Sequence, residues 1–590
     1  MCGIVGYTGP KIEIVKKAHA LQAHRGPDGS GFYSDASVSL GHNRLAIIDL
    51  DERSAQPMWD SSKRYCVVFN GEIFNYQALR ESLSSAYSFT TESDTEVLLA
   101  LYIQHKQNMC AILRGMYAFA IYDTLTGDLF LARDYFGIKP LHYALVNNRL
   151  YFASEIRAIV SMFGSENLTL EINQESIRTY LTLGYTIAPN TLYKNIQLLE
   201  PGTTLTLNVQ NPETITKDKI PFPVTSKATN QESEDLIEEK ILASLVADVP
   251  VGVFFSGGTD SSLITATLHK ARKNLETFSV KVSGRDADEY YFNHIGEKLA
   301  LKKNVFDFSV TEFDATYKSI ADNIDNPAGS SGFYQGYFIS KKASEKVKVV
   351  LLGDGGDELF LGYDRSFPLY KMKEKKLTSG IWLDRLYFLF PHFYGKNKLF
   401  LKLFAWCGSP IGYYLNSVSL LRDHGNFSDW NICRKQIIAR VTNSSELDQV
   451  LYLQDGLLLR NDAVTSLCSI EGRVPLLDAD IAARAPFLAQ ESYDAKIAKI
   501  TLKKILSKHL PAELVYRNKS GFGISYRKLL QESKYLREDL KTAINYLEQR
   551  NIVIPTEEKI FEKYPHFSLA IINLWHSLKN NERYFSGDYY

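Results

Sequence analysis

Apolar and polar positions change rhythm twice along the chain. Up to about residue 205, short apolar or alternating runs are separated by Gly, Pro, Asn and Asp, as at Tyr65 to Phe69, Tyr117 to Tyr122 and Leu129 to Ala132. Runs bounded in this way predict strands of antiparallel sheet. At Ile12 to Gln22, Tyr76 to Ser84 and Asp94 to Gln104 apolar residues recur every three or four positions, which predicts helices among the strands. Between Val209 and Thr229 the chain becomes polar, with Pro212, Pro221 and Pro223, and neither period survives. That stretch predicts a linker over 206–230 between a first domain, 2–205, and a second, 231–590.

The second half reads differently. Glu232 to Val246 has helical spacing, and the continuous apolar run Val249 to Phe255 opens onto Ser256-Gly257-Gly258-Thr259-Asp260-Ser261-Ser262 and a further helical stretch. The order strand, tight loop, helix repeats, with strands at Thr277 to Val282 and Val347 to Leu352 and a helix at Tyr291 to Leu299. Buried apolar strands alternating with helices predict an α/β domain built on a doubly wound parallel sheet. Beyond residue 365 the pattern is largely helical, including 371–421, and no internal repeat is visible.

Composition narrows the classes. With 590 residues, 45% hydrophobic and 23% charged, the chain is a folded protein and not a disordered or collagen-like one. The 67 Lys plus Arg balance 67 Asp plus Glu, so no global field draws it to nucleic acid or to an anionic membrane. The six cysteines, at 2, 66, 110, 407, 433 and 468, include no C-x-x-C spacing and predict neither a zinc site nor a disulfide framework. The start lacks the basic and apolar regions of a secretory signal, so reduced thiols and a cytoplasmic location are expected. The greasiest stretch, Gly380 to Phe390, is broken by Asp384 and Arg385 and stopped by Pro391, short of the roughly 20 apolar residues a membrane span needs. A soluble protein is expected, with a homodimer left open.

Candidate chemistry begins at Cys2, which becomes the terminal residue if Met1 is removed. A terminal α-amine titrates near about 8 and a thiol near about 8.5, so the amine can take the thiol proton around neutral pH. A nucleophile attacking an amide needs donors for the oxyanion, and Asn70-Gly71 after the apolar run to Phe69 supplies a side-chain amide and an unhindered backbone N–H. Selecting glutamine needs a cation for its carboxylate and an anion for its ammonium, roles open to Arg44 and Asp94. The ordered segments Cys2 to Gly6, His24 to Gly29, Arg44 to Asp49, Phe69 to Asn75 and Ser93 to Glu96 resemble the class II glutamine amidotransferase domain, an N-terminal-nucleophile hydrolase. The resemblance implies an αββα sandwich with Cys2 as nucleophile, Asn70 and Gly71 as oxyanion donors, and Arg44, Glu72 and Asp94 holding glutamine.

In the second half, Ser256 to Ser262 places small residues and backbone N–H groups at a helix N-terminus, where a polyphosphate can approach. The loop lacks the lysine of G-x-x-x-x-G-K-[ST] and is not a Walker A loop. It pairs with Gly353-Asp354-Gly355-Gly356-Asp357-Glu358 at a later strand end, and strand ends of an open parallel sheet line the ligand crevice. With Gly362-Tyr363, Glu471 to Asp478, Lys499 to Lys503 and Arg517 to Phe522, these segments resemble the ATP-pyrophosphatase (PP-loop) domain of the asparagine synthase family, so that similarity covers nearly the whole chain. The resemblance implies ATP beside Phe255, Ser256, Gly257, Gly258, Asp260, Ser261, Ser262, Val280, Leu352 and Gly353. It further implies Mg²⁺ and pyrophosphate at Asp260 and Asp357, acyl-adenylate formation near Asp354, and Lys499 stabilising phosphate charge.

The expected reaction joins the halves. A carboxylate becomes electrophilic when AMP is installed on it, and ammonia released at Cys2 stays nucleophilic only if shielded from water. A tunnel between the domains is therefore expected, with aspartate as the leading acceptor. Asp325-Asn326-Pro327, Leu352, Leu299 to Asn304 and Ser525 depart from the family pattern, all in the synthetase half. They keep a rival acceptor in view, such as a nucleotide-linked hexuronate of surface-polysaccharide assembly.

Overall fold

Strands of the first half present alternate residues to two different cores. In the structure, a computed structural model describing residues 1–223, 229–272, 275–281, 286–330, 332–380, 382, 408–421, 427–517, 526–552, 554 and 564–588, these strands are β1 (Gly3–Tyr7), β2 (Gly29–Ser34), β3 (Ser39–Arg44), β4 (Met58–Trp59), β5 (Tyr65–Ile73), β6 (Gly115–Asp123), β7 (Asp128–Arg133), β8 (His142–Val146), β9 (Arg149–Ala153), β10 (Gln197–Leu198), β11 (Thr203–Asn208) and β12 (Asn211–Lys219). They form two antiparallel sheets, β10-β8-β9-β1-β3-β2 and β12-β11-β7-β6-β5-β4. On β5, Cys66 and Val68 join Ile4, Leu40, Ala120 and Phe152 between the sheets. Val67 and Phe69, pointing the other way, belong with Val97, Leu98 and Leu101 of the outer helix Asp94–His105. On the other sheet Val5 and Tyr7 pack with Val15 of helix Ile12–Ala20 and Ile159 of helix Ile156–Ser165. The period of two thus builds the αββα sandwich.

The second half contributes β13 (Val251–Phe254), β14 (Glu276–Lys281), β15 (Lys302–Asp307), β16 (Val349–Leu351) and β17 (Glu471–Arg473), all parallel, in the order β15-β14-β13-β16-β17. The chain runs outward from β13 to β15 and then returns to the other side of β13. The crevice therefore opens at the carboxyl ends of β13 and β16, from which the Ser256 to Ser262 and Gly353 to Glu358 loops depart. Helices follow at Ala479–Ala495, Ile500–Leu506 and Pro565–Ser586 among others.

The expected linker is a correction. Residues 206–208 finish β11, and Asn211–Lys219 pairs along β11 as the edge strand β12. Only Pro212 and Ile215 of β12 are even half-buried, so no apolar alternation marks it; backbone pairing holds it in place. The following helix starts at Asn230, earlier than its apolar spacing predicts, because Thr229 and Glu232 form a capping box. Strands β15 and β17 carry too little buried apolar surface to have been expected. Much of 371–421, together with 518–525, lies outside the described residues. Among the described residues no helix is long and apolar enough to cross a membrane.

The halves are joined through buried charge as well as apolar packing. Arg25, 1% exposed, sends Nη1 to Glu155 at 3.1 Å, Asp462 at 2.9 Å and Ser466 Oγ at 3.2 Å, and its Nε donates to the Cys2 carbonyl at 2.9 Å. Arg157 pairs with Glu155 and reaches Asp325 across the interface, and Tyr180 Oη donates to the Ala570 carbonyl. Replacing Arg25 by Met leaves Glu155 and Asp462 without that guanidinium, and removing one partner of a buried pair costs about 3–5 kcal/mol. A lowered unfolding midpoint in urea or on heating is the expected outcome.

Candidate active sites at one interface

Cys2, Arg44, Gly71, Glu72 and Asp94, drawn from four separate segments, line one cavity of about 30 Å³. The Cys2 thiol lies 3.8 Å from the Leu45 carbonyl. Its pKa is raised by burial and drawn back by the nearby amine. With Met1 present the Cys2 nitrogen is an amide; burial lowers the Met1 amine to about 5 against the pull of Glu471, which leaves it neutral at pH 7. Asn70 is fully buried in β5, and among the described residues its Nδ2 and Oδ1 have no hydrogen-bond partner. A buried, unpaired amide is costly unless a ligand satisfies it. At Gly71 a side chain would run into the Met116 carbonyl and approach Tyr117 Cα to 2.7 Å, so the close pairing of β5 with β6 requires glycine.

The charges around this cavity are arranged for an amino acid. Arg44 is held by the carbonyls of Asp49 and Asp51, the latter at 2.8 Å. Asp94 accepts from the Ile73 N–H at 3.0 Å, yet burial pushes its carboxyl up to about 6. Glu72 is raised by burial and by Asp94, against the pull of Arg473. Two buried carboxyls side by side create a demand for a cation.

The second cluster gathers at the sheet crevice. The Phe255 N–H donates to the Phe278 carbonyl at 2.8 Å, and the Phe255 carbonyl accepts from Ser279 Oγ. The turn beyond is drawn together by Ser256 and Ser261, whose hydroxyls lie 3.0 Å apart, and Gly257 takes a positive φ of 73°. Ser261 and Ser262 then enter helix Thr259–Ala271, with Asp260 in its first turn. Val280 is the penultimate residue of β14, and Leu352-Gly353 follows β16. A side chain at Gly356 would collide with the Asp260 carboxylate, so glycine brings the two loops into contact. Lys499 bridges them, its ammonium touching Asp260 and lying 2.7 Å from Asp357. Burial disfavours that ammonium, but the two carboxylates raise its pKa overall. Asp354, pushed up to about 6 by burial against the pull of Arg460, accepts from Asn461 Nδ2 at 2.6 Å. Glu358 is pushed up to about 8 by burial and Asp357, and accepts from Tyr363 Oη.

Two carboxylates already converging on a cation fit Mg²⁺, which binds through one or two carboxylates and completes its shell with water and phosphate oxygens. Among the described residues no cluster of three or more ligating side chains forms a ready-made metal cage.

Where the two halves meet lies a cavity of about 210 Å³, lined by Arg25, Glu155 and Arg157 from the first half and Asn326, Arg460 and Asp462 from the second. Of its lining residues, Arg25 donates to the Cys2 carbonyl, and Arg460 hydrogen-bonds Asn461, which in turn holds Asp354.

A glutamine amidotransferase domain model matches residues 1–217, and an asparagine synthase model matches residues 232–564. The chain belongs to the asparagine synthase family. Asparagine synthetase [glutamine-hydrolyzing] 1 of Bacillus subtilis is 30% identical over 99% of this chain and 98% of its own. A putative asparagine synthetase of Mycobacterium tuberculosis is 30% identical over 91% of this chain and 89% of its own. Amidase chyE of Penicillium rubens is 29% identical over 60% of this chain and 55% of its own. Among solved structures, the glutamine phosphoribosylpyrophosphate amidotransferase from B. subtilis aligns with 47% of this chain and 65% of its own at 18% identity and TM-score 0.29.

For a member of this family, the sequence segments foretell both clusters but omit the groups that orient them. Asn461, which holds Asp354, lies on helix Leu458–Ser466, 107 residues away, and nothing in its local pattern marks it. Gln56, whose Oε1 accepts from the Phe69 N–H at 2.6 Å, likewise reads as an ordinary loop residue. An Asp94 that binds the glutamine ammonium has to be ionised, and burial pushes its carboxyl up to about 6; on that role the KM for glutamine in a glutaminase assay is expected to rise below pH 6. At pH 5 it should be about tenfold above its pH 7 value.

Proposed function

We propose that the protein makes asparagine from aspartate, glutamine and ATP in the cytoplasm. The observation that carries this reading is that one chain holds both a pocket lined by Cys2, Arg44, Glu72 and Asp94 and a lysine-bridged pair of carboxylate loops at the crevice of a parallel sheet.

Glutamine enters the Cys2 pocket with its carboxylate toward Arg44 and its ammonium toward Glu72 and Asp94. Once Met1 is removed, the Cys2 amine takes the thiol proton and the sulfur attacks the side-chain amide. Asn70 Nδ2 and the Gly71 N–H donate to the oxyanion, giving the unpaired buried amide its partner. Collapse of this intermediate breaks the C–N bond, the departing nitrogen takes the proton held by the Cys2 amine and leaves as ammonia, and water then releases glutamate from the thioester.

At the crevice, the Ser256 to Ser262 loop and the helix N-terminus behind it receive the ATP phosphates, with Phe255, Val280, Leu352 and Gly353 flanking the nucleotide. Asp260 and Asp357 would hold Mg²⁺, which supplies charge neutralisation for the departing pyrophosphate. Lys499 exchanges its carboxylate partners for phosphate oxygens. The acceptor carboxylate, placed beside Asp354, attacks the α-phosphate to form an acyl-adenylate. Ammonia crossing the interdomain cavity attacks the acyl carbon of this mixed anhydride before bulk water can protonate it, forming the amide and expelling AMP.

A pyrophosphate-release screen over carboxylic acids tests the reading: turnover with aspartate supports it, and turnover with a uronate but not aspartate overturns it. Cys2→Ala should abolish glutamine-dependent synthesis while added ammonium salts still support it, measured as asparagine formed. Lys499→Met should lower pyrophosphate release about 10²- to 10³-fold from either nitrogen source, the usual loss for a preorganised charge-stabilising group.

A further inference from the structure

The glutamine pocket is not built by the first half alone. Glu471 of β17, a strand of the synthetase sheet, lines it beside Cys2. From the same three-residue strand, Arg473 extends a fully buried guanidinium to the floor of the pocket. Its Nη2 donates to Glu72 Oε2 at 2.7 Å and its Nε to Glu471 Oε1 at 2.8 Å, while Nη1 donates to the Ser244 and Val246 carbonyls at 2.8 and 2.6 Å. Those carbonyls follow helix Asn230–Ala243, whose C-terminal end favours a cation. The fork is thereby anchored before it meets Glu72 and has little freedom to turn away.

Its effect on Glu72 is specific to one oxygen. Oε2 is occupied by Arg473, whereas Oε1 is buried with no hydrogen-bond partner among the described residues. A carboxylate so fixed has one face tied down and one free for a ligand N–H. Its charged neighbours are Asp94 on helix Asp94–His105, Glu471 and Arg473 on β17, and Cys2 and Arg44 around the same cavity. Of the two cations, Arg473 is the one bonded to Glu72. The backbone of Arg473 also faces the other site: its carbonyl accepts from the Leu352 N–H at 2.8 Å, immediately before Gly353-Asp354.

We propose that Arg473 is a positioning residue for glutamine hydrolysis, fixing Glu72 to receive the substrate ammonium and tying glutamine affinity to the state of the Leu352 to Glu358 loop. This rests on the glutamine-binding role assigned to Glu72 above. Arg473 touches no reacting atom; it acts through Glu72 on one side and through the β16–β17 pairing on the other.

The test compares full-length wild type with Arg473→Lys and Arg473→Gln. Glutamine hydrolysis is measured from pH 5.5 to 8.5, with and without ATP and the acceptor found in the pyrophosphate screen. In wild type, ATP plus acceptor should lower the KM for glutamine severalfold. Arg473→Gln should raise that KM at least tenfold with kcat changed less than threefold, and should move the acid limb of the KM profile upward in pH, because the carboxyls lose their cation. Arg473→Lys keeps the charge without the fork; it should restore the acid limb but not the response to ATP plus acceptor. A double-mutant cycle with Glu72→Gln provides the second arm, since residues acting through one another give non-additive changes in KM. Unchanged KM, equal falls in kcat and kcat/KM with an unshifted pH profile, or additive effects with Glu72→Gln would each overturn the proposal. Failure of wild type to release pyrophosphate with any acid would instead overturn the synthetase reading, which the first two readouts in the absence of ATP do not require.

Discussion

A buried guanidinium at residue 25 is the constraint on which the arrangement of the molecule depends. Arg25 binds the carbonyl of the cysteine at one site and the carboxylate of Asp462, one residue beyond the asparagine that holds Asp354 at the other. Burying an unpaired charge is prohibitively unfavourable, so Glu155 and Asp462 must converge on it from opposite halves. Apolar packing across the interface is non-directional and would tolerate some sliding. The hydrogen-bonded fork sets the relative position of the halves, and with it the cavity between them. Arg157, reaching Glu155 and Asp325, adds a second such constraint on the far wall.

The same physics separates what the sequence makes legible from what it hides. The strand-loop-helix order around Ser256 and the Gly353 to Glu358 loop is local, carried by consecutive residues, and the parallel sheet follows from it. Cys2, Arg44, Glu72 and Asp94 are far apart in the chain, but each lies in a segment with its own family likeness, so their convergence could be expected. Strand β12 could not, because an edge strand solvated on both faces has backbone pairing and no apolar period. Nor could the orientation of Asp354 by Asn461 or of Glu72 by Arg473. These contacts bridge 107 and 401 positions, and each partner sits in an element whose local pattern describes only its own packing.

Both sites crowd carboxyls out of water, yet they resolve the repulsion in different ways. In the sheet crevice Lys499 lies between Asp260 and Asp357, so the repulsion of the two carboxylates is offset by a cation before any ligand arrives. A cationic or phosphate-bearing ligand must replace existing ion pairs there, and the gain is a difference between two sets of contacts. In the cysteine pocket Arg473 satisfies one oxygen of Glu72, while burial leaves Asp94 at about 6. That pocket keeps an unmet demand for one positive charge, which a substrate ammonium meets directly. On the proposed function, the first arrangement would serve the exchange of magnesium and polyphosphate, and the second the selection of one zwitterionic amino acid.

The acceptor end obeys a further requirement. Asp354 is neither bridged by a cation, as Asp260 is, nor left without an orienting group, since Asn461 holds one of its oxygens. Arg460 acts on it from a distance, and burial leaves it near 6. Such a carboxyl changes charge within a narrow range around neutrality and responds strongly to any charge brought beside it. On the proposed function, a bound acceptor carboxylate would push it toward its protonated form, whereas conversion of that carboxylate to an acyl-adenylate moves the negative charge from the acyl group to the phosphate. The proton balance beside Asp354 therefore depends on whether the acceptor has been activated. Because Asn461 and Asp462 are consecutive on one helix, and Asp462 grips Arg25, the group that holds Asp354 sits on the element that anchors the domain interface.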